Sequence, residues 1–129
     1  ADEVKSDSRV VNLENTDARS LNNLIISAPL DLIVCDVSFI SVRKVLPPCM
    51  ALSKTGGQLL CLFKPQFEAG PGKLKKTGVI TNADLQVELL KQMENWFLNL
   101  KEWKFKGSIQ SSLSGRGGNK EFFLLAEKL

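Results

Sequence analysis

The sequence of 129 residues contains no histidine, which rules out histidine-based hydrolytic triads and the usual zinc ligand sets, so no metal site is expected. Cysteine is scarce and odd in number: three residues cannot close a disulfide framework. Cys35 and Cys61 lie inside apolar runs and Cys49 adjoins Met50, so all three read as buried thiols in a reducing compartment. No run approaches the roughly 18 apolar residues that cross a bilayer, and the chain does not open on a secretory signal. No membrane association and a cytoplasmic location are therefore expected. A Gly-x-Gly-x-x-Gly fingerprint is missing too, which speaks against a dinucleotide-dependent oxidoreductase. A net charge of +3 permits contact with a polyanion without demanding it.

What remains is the composition of an ordinary globular protein, 43% hydrophobic and 24% charged, enough for one domain over 1–129. The first eight residues are polar and aperiodic. Arg9 to Leu13 reads as a short strand. Thr16 or Asp17 can cap a weak helix from Ala18 to about Ile26, which Pro29 ends. Leu30 to Cys35 reads as a strand covered on both faces, closing in Asp36. Pro47 and Pro48 suit the first turn of a helix running to about Lys54, followed by a turn at Gly56-Gly57.

Gln58 to Phe63 reads as a second buried strand, closing in Lys64-Pro65. The loop from Gln66 to Thr81 is long enough to suggest function. Asn82 caps the longest helix, whose apolar stripe runs through Leu85, Leu89, Met93, Phe97 and Leu100. Trp103, Phe105 and Ile109 mark a strand, residues 114–118 turn, and Phe122 to Ala126 forms a last strand antiparallel to it. Helices alternating with strands give an α/β protein.

In such sheets ligands bind beyond the carboxyl ends of the strands. Asp36 and Lys64 each follow a buried strand directly, and Glu121 opens the neighbouring one. An amine held between two carboxylates is the simplest way to accommodate charges there. Taken singly, Asp36 could cap a turn, Lys64 could reach into solvent, and Glu121 could be an ordinary hairpin charge. The lysines at 73, 75, 76 and 120 and Arg116 fall in glycine-containing loops, where they could meet phosphates.

Three blocks carry a family resemblance: Asp36-Val37-Ser38-Phe39-Ile40-Ser41, Lys64-Pro65-Gln66-Phe67-Glu68-Ala69-Gly70, and Gly118-Asn119-Lys120-Glu121-Phe122. With Arg9-Val10-Val11 and Thr16-Asp17-Ala18-Arg19, they resemble in order and spacing the TlyA, or hemolysin A-like, rRNA methyltransferases, themselves similar to the FtsJ group. The resemblance covers nearly the whole chain. It implies a Rossmann-like, S-adenosylmethionine-dependent ribose-2′-O-methyltransferase fold, mostly parallel with an antiparallel C-terminal strand and rRNA as substrate.

By the same resemblance, Asp36, Lys64 and Glu121 match the last three positions of a Lys-Asp-Lys-Glu catalytic tetrad. Asp17 and the backbone of Ala18 would meet the adenine of the cofactor, and Asp36 its methionine end. The glycine-rich loop, the first two strands and the first tetrad lysine of such a domain are not found. The fold is thus expected to be incomplete and the stretch inactive by itself, with a homodimer through an exposed sheet edge as one way to cover the gap. The alternatives are a non-catalytic RNA-binding remnant and, with less support, a pore-forming hemolysin.

Overall fold

A computed structural model describes residues 1–27, 29–70 and 78–129. Its elements are α1 (Asp2–Lys5), β1 (Leu30–Cys35), α2 (Val42–Met50), β2 (Ser53–Phe63), α3 (Ala83–Leu98), β3 (Trp103–Gln110) and β4 (Phe122–Lys128), with short 3-10 turns at Ala18–Ser20, Pro65–Phe67 and Arg116–Gly118. The sheet order is β1-β2-β4-β3. β1 and β2 pair in parallel across the α2 crossover, whereas β4 runs antiparallel to both its neighbours. Three strands therefore share one direction and only the C-terminal strand opposes them, the expected α/β arrangement.

One core explains this layering. Leu59, Cys61 and Phe63 alternate inward along β2 and meet Ile33 of β1 and Leu124 and Ala126 of β4. Val42, Leu46 and Met50 of α2 and Leu89, Met93 and Phe97 of α3 cover that same face. Phe97 is wholly buried, its ring 5.0 Å from Trp96 and 5.5 Å from Phe105. Asn82 caps α3 as expected, its side chain accepting from the N–H groups of Asp84 and Leu85.

Four expectations require correction. β1 is covered on one face, not two: Ile33 is buried, but Leu32 and Val34 are 57% and 68% exposed because both long helices lie on the other side. Arg9 to Leu13 forms no strand, for β1 pairs only with β2 and the segment finds no ladder to join. The helix from Ala18 to Ile26 shrinks to Ala18–Ser20 plus a separate turn in which Asn22 accepts from the N–H groups of Leu24 and Ile25. Only the Ala18–Ser20 turn packs, against α2; the rest of this short stretch is nearly all exposed and lacks the packing that sustains a helix.

Finally, α2 begins at Val42, not Pro47, and ends at Met50, not Lys54. Ser41 is the N-cap, accepting from the N–H of Arg43, and the two prolines fall inside the last turns. Packing of Val42, Val45 and Leu46 into the core outweighs the backbone hydrogen bonds those prolines remove. The chain is thereby released early into β2. The Gly56-Gly57 turn sits within β2, where the pairing jumps from Leu30↔Ser53 to Leu32↔Gln58.

β3 shows a related irregularity. Phe105 opposes Ala126 but Gly107 opposes Leu125, so one inserted residue reverses the facing of everything after it. Trp103 is consequently buried while Ile109, of the same parity, is 70% exposed.

Candidate active site

The C-terminal ends of β1 and β2 lie side by side, with Cys35 opposite Cys61. The next residue of β1 is Asp36, and Lys64 emerges just beyond Phe63. The Lys64 Nζ lies 2.5 Å from Asp36 Oδ1 and donates to Ser38 Oγ at 3.3 Å. The lysine side chain is mostly buried at 14% exposure, whereas that of Asp36 is 66% exposed, so the pair forms a rim with its acidic side open to solvent.

Glu121 immediately precedes β4, at the end of that strand which neighbours Lys64. Phe63 opposes Phe122, and continuing this antiparallel register by one residue sets Lys64 opposite Glu121. No ion pair joins the two among the described residues. Glu121 is buried, and its Oε2 accepts from Gln66 Nε2 at 3.0 Å. Gly115 makes this possible: a methyl group there would collide with Glu121 Oε2 and come within 3.3 Å of Gln66 Nε2. Glycine at 115 thus serves close approach, its φ of −73 being open to any residue.

The loops around these groups are tied to one another. Glu68 Oε2 accepts from Ser41 Oγ at 2.6 Å and Oε1 from the N–H of Val42 at 2.8 Å, placing a nearly buried carboxylate on the N-terminus of α2. This satisfies an otherwise orphaned backbone donor and opposes the positive end of the helix dipole. Arg43 adds a longer contact at 3.7 Å. Phe39 stands at positive φ, 64°, with 88% exposure and its ring 4.9 Å from Phe67. Asn119 Oδ1 accepts from the N–H of Ile80 and its Nδ2 donates to Gly78 O, fastening the third block to the start of α3.

Asp17 and Ala18 lie apart from this rim in their contacts. Asp17 is an N-cap, and both carboxylate oxygens accept from Arg19. The Arg19 guanidinium, then its backbone N–H, hold the Asp17 carboxyl down at about 2. Ala18 is half-buried in the turn that packs on α2. Of the cysteines, Cys61 is fully buried and Cys35 and Cys49 are half-buried, all three free. A hydrogen bond with Cys35 and then burial push the Cys61 thiol up, and burial raises Cys49. The lysines at 73, 75 and 76 and the side chain of Arg116 lie outside the described residues, while Lys120 is exposed.

Gln66, Glu68, Ser38, Ser41, Gly115 and Asn119 were not singled out individually by sequence reasoning. Ser41 had a readable signal, a hydroxyl just ahead of the apolar positions Val42, Val45 and Leu46. The others join residues far apart in sequence and give no local periodicity.

The residues match the family model of FtsJ-like methyltransferases over 2–128. The chain is 36% identical over 121 residues to the 16S/23S rRNA (cytidine-2′-O)-methyltransferase TlyA of Mycobacterium tuberculosis, covering 94% of this chain and 45% of that protein. It is 30% identical over 120 residues to Hemolysin A of Brachyspira hyodysenteriae, with 92% of this chain and 50% of the relative covered. A solved hemolysin-like protein of Streptococcus thermophilus superposes with a TM-score of 0.90 at 29% identity, over 99% of this chain and 46% of its own. The chain spans about half the length of these relatives. Among the described residues, no helix is long and apolar enough to cross a membrane. With the family model matched nearly from end to end, the chain belongs to the FtsJ-like methyltransferases.

Proposed function

We propose that this chain supplies the catalytic rim of an S-adenosylmethionine-dependent rRNA ribose-2′-O-methyltransferase, with Asp36, Lys64 and Glu121 as its catalytic residues and the cytoplasm as its place of work. One observation carries the reading: the Lys64 amine is held by Asp36 and Ser38 at the joint carboxyl end of two parallel strands, with buried Glu121 immediately before the adjoining strand.

The donor set fits parts of the cofactor. The exposed Asp36 carboxylate, with only Oδ1 on Lys64, can receive the ammonium of its methionine end. Asp17 and the backbone of Ala18 are the candidates for its adenine. When bound, S-adenosylmethionine supplies an electrophilic methyl group on a sulfonium.

This chain's residues have the remaining tasks. Lys64 can hold a ribose 2′-oxygen through a hydrogen bond, while Asp36 and Ser38 restrict the directions open to its amine. Such orientation is worth up to about 7–11 kcal/mol of barrier where the geometry is well fixed. Loss of the hydroxyl proton calls for an acceptor at the same rim. Lys64, Asp36 and Glu121 are the candidates for that task. Phe39, projecting from the same loop over Phe67, offers an aromatic face on which a nucleobase can stack.

A non-catalytic, RNA-binding role is the second reading. It is favoured by the closure of Asp17 onto Arg19, which leaves neither carboxylate oxygen uncontacted for an adenine amine. The stretch by itself is expected to be inactive. The exposed edge of β1 leaves room for a second copy, and light scattering decides whether a homodimer forms.

Transfer of a labelled methyl group to rRNA, mapped to a ribose, tests the leading reading. The full-length protein is expected to be active and Lys64→Ala inactive; full activity in Lys64→Ala would end the assignment. Salt-sensitive RNA binding without calorimetric binding of S-adenosylmethionine would favour the second reading.

A further inference from the structure

Gln66 is 6% exposed, and its side-chain amide is only half satisfied. A carboxylate can only accept, so contact with Glu121 fixes which end of the amide faces it. Nε2 donates to Glu121 Oε2 at 3.0 Å, and Oε1 is left buried without a partner among the described residues. An unmet buried acceptor costs about 1–3 kcal/mol. A methionine would fill similar space without that cost. That gain would be offset by stranding the buried Glu121 carboxylate, so it is the Gln66–Glu121 pair as a whole, not glutamine alone, that stability explains poorly, and the accompanying need for glycine at 115 adds a second constraint to the same contact.

We infer that Gln66 is a positioning residue for methyl transfer: its amide N–H fixes the carboxylate of Glu121 at the rim that also holds Lys64. This rests on the function proposed above. Removing the donor lets the Glu121 carboxylate turn away while the Asp36–Lys64 pair and every backbone element stay in place. Gln66 acts through Glu121 and not on the reacting atoms themselves.

The test is a double-mutant cycle in Gln66→Met, Glu121→Met and the double variant. Each single variant is expected to melt below the native protein, since one buried polar partner is then stranded. The double variant is expected to melt at or above the native temperature, because both are gone. In the full-length protein, Gln66→Met is expected to lower kcat at least about tenfold with the KM for S-adenosylmethionine unchanged.

A double variant melting below both singles would show that the two side chains contribute independently, so that Gln66 does not hold Glu121, and would overturn the inference, as would native kcat in Gln66→Met. If Gln66→Met fails to fold, Gln66→Glu places a second carboxylate against Glu121. Its deficit in melting temperature is expected to narrow from neutral to mildly acidic pH, and a constant deficit overturns the contact. A full-length native protein without methyl transfer ends the functional reading and this inference together. Native activity with an unaffected Gln66→Met ends this inference alone.

Discussion

The segment before β1 and the rim after β1 and β2 solve the problem of charge in opposite ways. Before β1, ion pairs close over short distances in sequence: Arg9 on Asp7 and Arg19 on Asp17, two residues apart, and Lys5 on Glu14, nine apart. None of the described residues from 1 to 27 is buried. At the rim, the bonds are long in sequence: Ser38 to Lys64 spans 26 residues, Ser41 to Glu68 spans 27, and Gln66 to Glu121 spans 55. Local pairs settle a turn and leave its orientation free. Long-range pairs fix loops against one another, which is what placing a reactive group requires.

If this contrast is sound, substitutions should matter in proportion to the long-range packing they remove. The largest effect is expected at Phe97, wholly buried between Trp96 and Phe105. Phe97→Ala should cost about 3–5 kcal/mol in urea unfolding. Val11→Ala, at a position 80% exposed in the first segment, should stay within about 0.5 kcal/mol. Comparable losses at the two positions would show that the first segment packs far better than its exposure indicates.

Glu68 comes next. Glu68→Ala strands the Ser41 hydroxyl and the Val42 N–H at the start of α2. A loss of roughly 2 kcal/mol is expected, accompanied by faster amide exchange at Val42. Protection unchanged at Val42 would mean that Ser41 suffices as the cap. Gly115→Ala ranks third, at about 1–2 kcal/mol, since the added methyl must displace the Glu121 carboxylate. Its mark is disproportion: methyl transfer by the full-length protein should fall much further than stability. An equal, small fall in both would place Glu121 away from the chemistry.

The same contrast explains what the sequence made legible. Strands Leu30 to Cys35 and Gln58 to Phe63, helix α3 with its Asn82 cap, and the antiparallel pair β3 and β4 all announce themselves by periodicity and punctuation. So do Asp36 and Lys64, because a charge that ends an apolar run is conspicuous. Single coverage of β1 was hidden, since Leu32 and Val34 are as apolar as residues covered on both sides. The start of α2 was masked by Pro47 and Pro48, whose helix-breaking reputation outweighed the Ser41 cap. Gln66 and Glu68 could not be assigned partners, because their bonds depend on how β4 and α2 meet the loop after β2.

The smallest effect belongs to Asp17, and it tests the first segment on its own terms. Its carboxyl is lowered to about 2, first by the Arg19 side chain and then by the Arg19 backbone N–H. A depressed folded value contributes stability above the ordinary value of 3.8, and that contribution is lost as pH falls toward 2. The group is open to solvent, so salt should weaken the contribution further and the global melting curve should register little of it. Arg19→Ala should return the Asp17 carbon resonance to a titration near 3.8 without moving the melting temperature. A clear drop in melting temperature would show that this turn anchors α2, on which it packs, and that the division between local and long-range pairing is too sharp. The same variant also addresses the cofactor. If Asp17 receives an adenine amine, freeing its oxygens from Arg19 should strengthen binding of S-adenosylmethionine by the full-length protein, whereas unchanged affinity would remove Asp17 from the site.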